Sequence, residues 1–175
     1  SLKTLQSELN VIEREFQDEL AQLERKFGKK YAVVHDKRAK IINGELEPTE
    51  EEVAKGKEIE KDLADEGDED DEEESDDEKE DIKGIPAFWL TALQNLSPIN
   101  DLINERDEEA LSYLQDIQLK YLDQPGFQLV FKFAENPFFK SKELTKTYYY
   151  QDDLGYSGDF IYDHAEGCEI DWISS

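Results

Sequence analysis

The sequence predicts an α+β fold, a long N-terminal helix followed by a domain in which helices come first and an antiparallel sheet after them. Two observations predict it. Apolar residues recur at intervals of three and four from Leu2 to Tyr31, which keeps them on one stripe of a helix. After Pro125-Gly126 the period changes to two, as a pleated strand requires. A third observation, the distribution of charge over 1–44, 45–81 and 82–175, marks a chain of three parts, taken as 1–44, 45–84 and 85–175.

The first part carries Leu2, Leu5, Leu9, Ile12, Phe16, Leu20, Leu23, Phe27 and Tyr31 on its stripe, with no proline before Pro48. One continuous helix of roughly 40 residues, about 60 Å long, follows. Gly28 costs it about 1 kcal/mol against alanine. Such a helix outreaches a domain of ordinary size, so its stripe needs a further partner. The economical partner is a second copy, paired through Leu9, Ile12, Phe16, Leu20, Leu23 and Phe27; the alternative is packing on its own domain. Leu2, Leu5, Leu9 and Ile12 also have the spacing of a leucine-rich export signal, a spacing common to many amphipathic helices.

Gly44 ends the long helix, and Pro48 with the Thr49–Glu52 capping-box spacing starts a shorter one over about 49–64. Residues 65–81 then hold 14 carboxylates and one base, Lys79. Charge of that density leaves nothing apolar to bury and predicts disorder. Ser75, followed by Asp76-Asp77-Glu78, has the setting of an acidophilic-kinase substrate.

In the third part Pro86 suits the first turn of a helix carrying Phe88, Trp89, Ala92, Leu93 and Leu96. Leu111, Leu114, Ile117 and Tyr121 predict a further helix over about 106–122. Phe127, Leu129, Phe131 and Phe133 alternate along a strand, Asn136-Pro137 turns the chain, and Leu144–Tyr150 returns as a second strand. A third is expected at 166–172.

The net charge is −25, from 20 basic and 45 acidic residues. Residues 1–44 hold 9 basic and 7 acidic groups, residues 45–81 hold 4 and 22, and residues 82–175 hold 7 and 16. A surplus of this size repels phosphates and favours cationic proteins, so no direct nucleic-acid partner is expected. With one cysteine, Cys168, no intrachain disulfide can form. No apolar run is long enough for a membrane span and none reads as a secretory signal, which leads to the expectation of a cytosolic or nuclear protein without membrane contact.

No constellation for catalysis, metal or cofactor stands out. His164 and Cys168 are four apart, but a structural zinc site needs four ligands. Gly155-Tyr156-Ser157-Gly158 has neither the spacing nor the lysine of a phosphate loop and reads as a turn. Pairs of carboxylates are inevitable among so many. The expectation is a binding protein, not an enzyme, with no cofactor.

Several stretches carry a family resemblance. Lys83-Gly84-Ile85-Pro86-Ala87-Phe88-Trp89-Leu90-Thr91-Ala92, Tyr113-Leu114-Gln115-Asp116-Ile117, Asn136-Pro137-Phe138-Phe139, and the run from Gly155-Tyr156-Ser157-Gly158-Asp159-Phe160 to Glu169-Ile170 resemble the nucleosome assembly protein family. The likeness runs through the whole chain in order. It implies a histone chaperone: a homodimer built on the long helix (1–44), an accessory insert (45–84), and an α+β histone-binding domain (85–175) presenting an acidic surface to core histones. It also implies an export signal at Leu2, Leu5, Leu9 and Ile12 masked by the insert, contact with nuclear transport receptors, and shuttling between nucleus and cytoplasm. Family members continue with further strands and helices, so the resemblance implies that the C-terminal part of the family domain is lacking here. A sheet edge would then be left unpaired.

Glu135, Asp152, Asp153, Asp159, Asp163 and Glu166, in or near turns of the β-rich part, are the expected histone contacts. Two other readings stay open: a phosphatase inhibitor like the SET-type branch of the family, which lacks the export-like start and long insert, and a purely structural dimerisation fragment.

Overall fold

The computed structural model describes residues 2–64 and 82–173. Ser75 and the expected disorder of 65–81 lie outside the described residues. The chain forms two compact units, residues 1–36 with 87–175, and residues 37–86.

The first unit opens with α1 (Leu2–Ile42), one uninterrupted helix as the spacing predicts. It passes through Gly28 without a break, and a Cβ placed there would meet only the Tyr121 ring, at 3.7 Å. After the insert come three short helices, α3 (Phe88–Gln94), α4 (Ser97–Asn100) and α5 (Glu105–Leu111). Pro86 lies before α3, not in its first turn; the cap is Ala87 in a left-handed conformation, φ 54°. Asn104 caps α5 with a capping box, its side chain accepting from the Arg106 and Asp107 amides while Asp107 accepts from the Asn104 amide.

Here the structure corrects the sequence. The helix expected over about 106–122 ends at Leu111, and Leu114–Tyr121 is β1. Helical spacing of Leu111, Leu114, Ile117 and Tyr121 competes with alternation of Ile117, Leu119 and Tyr121 against Gln118 and Lys120. The alternation wins because β2 (Gly126–Phe133) lies directly across a short turn and pairs with the whole stretch, Tyr121 opposite Phe127 and Ile117 opposite Phe131. β3 (Glu143–Leu154) runs beyond the expected 144–150, and β4 is Phe160–Gly167 instead of 166–172. The four strands make an antiparallel meander in the order β1-β2-β3-β4. Residues after β4 fold back along the Phe138–Lys140 segment: Lys140 donates to the Asp171 carbonyl, and Phe139 bridges Trp172.

The core lies between the sheet and the short helices. Leu114, Phe133 and Phe139 are buried at its centre, with Trp89, Leu93 and Leu111 packed against them. Phe133 and Phe139 meet edge to face, ring centroids 5.0 Å apart. The Trp89 indole N–H donates to the Gln115 carbonyl at 2.9 Å, fastening α3 to β1.

In the second unit α2 (Glu50–Ala64) starts at the predicted capping box, the Thr49 amide donating to Glu52 and the Glu52 amide to the Thr49 hydroxyl. Lys37 donates to Glu52 as well. Lys37 first and the Thr49 amide next hold the Glu52 carboxyl down at about 2. Gly44 and Gly84, both with positive φ (71° and 75°), sit back to back, and Ile85 donates to the Ile42 carbonyl at 2.8 Å. A Cβ on Gly84 would fall 2.3 Å from the Ile42 carbonyl oxygen, so only glycine fits this neck.

Candidate functional site

The half-buried positions of α1 in the first unit are Gln6, Asn10, Glu13, Arg14, Gln17, Ala21, Arg25 and Gly28, a row of polar or small residues at helical spacing. This row meets the domain. Gln6 donates to the Tyr156 carbonyl, and Arg25 donates to the Leu122 carbonyl at 2.7 Å. The apolar stripe occupies a different face and is open: Leu9, Ile12, Phe16, Leu20, Leu23 and Phe27 are exposed by 37–62%. Leu2 and Leu5, expected with Leu9 and Ile12 in an export signal, are exposed by 85% and 60%. The domain therefore sits on the polar side of its own helix, and the long apolar row is left for something else.

The six expected contact carboxylates are all exposed. Asp152 and Asp153 lie inside β3, not in a turn, and flank a hollow against α1 that also holds Arg14. Among the described residues the Nη1 of Arg14 is buried in this region without a hydrogen-bond partner. Asp159, in the β3–β4 turn, accepts from the Ser157 hydroxyl at 2.6 Å. Asp163 and Glu166 are within β4 and come together around His164, at 2.7 and 3.7 Å from its ring nitrogens. The His164 ring stacks on Tyr149, centroids 4.5 Å apart, and the Tyr149 hydroxyl donates to Glu166 at 3.4 Å. Burial first, then the charge of Glu166, raises the Tyr149 phenol above its ordinary value and keeps it a donor. Glu135 stands apart. It follows β2 at the end of the sheet where β3 begins, roughly 30 Å along β3 from Asp152.

The His164–Cys168 pair is divided between other tasks. His164 belongs to the carboxylates just described, and the Cys168 sulfur accepts from the Thr145 amide at 3.2 Å. Among the described residues no group of His, Cys, Asp and Glu has metal-site geometry, and no helix is long and apolar enough to cross a membrane. Gly155–Gly158 is a turn, as read, closed by Gly155 donating to the Asp159 carbonyl and Gly158 to the Gly155 carbonyl.

Sequence reasoning missed a basic groove between α1 and β1. Its cations come from positions far apart in the chain; the one available signal was the small positive surplus of residues 1–44.

The model of the nucleosome assembly protein (NAP) family matches residues 1–175. A nucleosome assembly protein of Saccharomyces cerevisiae is 54% identical over 179 residues, covering 98% of this chain and 43% of the yeast protein. Nucleosome assembly protein 1-like 1-A of Xenopus laevis is 43% identical over 183 residues, covering 98% of this chain and 46% of its own length. The chain thus spans less than half the length of these curated relatives. Among solved structures, Nucleosome Assembly Protein 1 from Plasmodium knowlesi superposes with a TM-score of 0.61 at 30% identity, over 98% of this chain and 63% of that one.

Proposed function

The chain belongs to the nucleosome assembly protein (NAP) family, and from that membership we propose that it is a histone chaperone, a non-enzymatic carrier that holds basic core histones on acidic surfaces and assists nucleosome assembly. The family match over residues 1–175 carries the reading, and the exposure of all six candidate carboxylates supports it. Asp152, Asp153, Asp159, Asp163 and Glu166 gather at the β3–β4 side of the domain, with Glu135 as an outlying contact. Each exposed pair contributes only about 0–1 kcal/mol, so affinity comes from many together. The acidic run adds reach for flexible cationic tails.

Two copies pair along the open stripe of α1, burying Leu9, Ile12, Phe16, Leu20, Leu23 and Phe27. The export signal shares Leu9 and Ile12 with that interface, so a transport receptor and a second copy compete for these two residues. Shuttling between nucleus and cytoplasm then depends on which one holds them.

The test is titration of a labelled core-histone dimer at about 0.15 M salt, where only close charge pairs persist. Three proteins are compared: the chain itself, a form lacking residues 45–81, and a form with the six carboxylates reversed to lysine. The folded surface is the site if binding survives the deletion and weakens at least tenfold in the reversed form. Unchanged affinity after reversal removes the six-residue assignment, and no binding by the parent chain removes the chaperone reading.

A further inference from the structure

A basic groove of about 910 Å³ lies between the second half of α1 and the β1–β2 hairpin. Arg25, Lys26, Lys29, Lys120 and Lys132 line it against only two carboxylates, Asp36 and Asp123. In a chain of net charge −25 this concentration is an inversion. The cations are largely unspent. Lys132 reaches Glu143 at 3.8 Å, while among the described residues Lys26, Lys29 and Lys120 have no carboxylate at ion-pair distance. The sequence brings them together by two periodicities. Arg25 and Lys29 are four apart on one helix face, and Lys120 and Lys132 alternate with core positions on paired strands, Lys120 opposite Gln128 and Lys132 opposite Asp116.

We propose that this groove binds a short, carboxylate-rich acidic peptide from a partner protein. Three features select that ligand. Along α1 the groove runs from Gln22 to Asp36, about 21 Å, the length of roughly six extended residues. Its free cations are lysines, compact charges that suit single carboxylates. The one arginine, whose fork would favour phosphate, is already committed to the Leu122 and Asp123 carbonyls. Leu119 and Tyr121 add apolar surface for side chains between the acids, and burial followed by the nearby Glu24 raises the Tyr121 phenol, so that ring stays neutral. A long nucleic acid would leave this patch at both ends and meet the acidic remainder of the chain.

Pairing of two copies along the apolar stripe would leave most of the groove facing away from the partner helix, with Lys26 at its edge. On a helix turning about 100° per residue, Gln22, Arg25, Lys29 and Asp36 lie opposite Leu20, Leu23 and Phe27. The proposal does not rest on histone binding and assigns the opposite charge preference to a different face.

The experiment measures fluorescence anisotropy of a labelled eight-residue Asp/Glu peptide with the full chain, at about 0.05 and 0.15 M salt. K26E/K29E/K120E should weaken binding about tenfold or more. K55E/K57E/K61E on α2, with the same change in net charge, should leave it nearly unchanged. Circular dichroism checks the fold of each, and K26Q/K29Q/K120Q replaces the first variant if reversal unfolds it. No binding by the parent chain, or equal loss in both triple variants, overturns the proposal. So does tighter groove-dependent binding of an oligonucleotide of similar length.

Discussion

Gly158, in the turn between β3 and β4, rests on Glu13 of α1, where a Cβ on the glycine would lie 2.8 Å from the Glu13 Cγ. The turn is buried at this point although its neighbours Tyr156 and Ser157 are exposed. Its φ of 84° is one that L side chains avoid. Gly158→Ala should therefore cost about 1–2 kcal/mol, from the left-handed backbone and the displaced Glu13. Urea denaturation followed by tryptophan fluorescence reads the difference, and an unchanged midpoint would refute the contact.

The open stripe of α1 predicts an oligomer. Replacing Phe16 and Leu20 by aspartate removes two large apolar groups from each copy, at about 1.5–3 kcal/mol for each one fully buried. Dissociation should become easier by at least about a hundredfold, read by sedimentation equilibrium, with helicity of the isolated chain retained. If the doubly substituted protein sediments like the parent at every concentration, the stripe is not the interface.

Glu52 predicts a pH effect with a defined sign. Its folded pKa, about 2, lies below the ordinary 4.5, so the unfolded state binds the proton more readily between those values. The contribution of Glu52 to α2 is present above pH 4.5 and is lost as pH falls through about 2. An NMR titration of the Glu52 side chain should give the low midpoint, and Lys37→Ala should raise it toward 4.5, because the Lys37 hydrogen bond is the largest cause. A midpoint indifferent to Lys37 would count against the pairing.

How much of this was legible in the sequence depended on whether the signal was local. The α1 stripe and the Thr49–Glu52 cap are written in consecutive spacings, and both were found in place. Gly44 was legible because a helix end that needs positive φ selects glycine. The stretch 112–121 was not. Its residues satisfy two periods at once, and only pairing with a distant segment decides between them. Asp116 shows the same limit: a carboxylate 4% exposed, held by the Gln118 amide at 2.8 Å, is invisible until the bulged start of β1 is known. For the candidate contacts, no local signal in the sequence tells that Asp163 and Glu166 share His164, or that Asp152 and Asp153 line one hollow with Arg14.

The glycine neck at Gly44 and Gly84 has an evolutionary reading. Where a chain departs and returns through touching backbones, everything between behaves as a cassette. Doubling the length of a loop closed at such a neck raises the closure cost by only about 0.6 kcal/mol. Lineages can therefore lengthen, shorten or recompose this stretch, provided the two glycines that close it are kept, and relatives should differ more in its length than in any strand of the sheet.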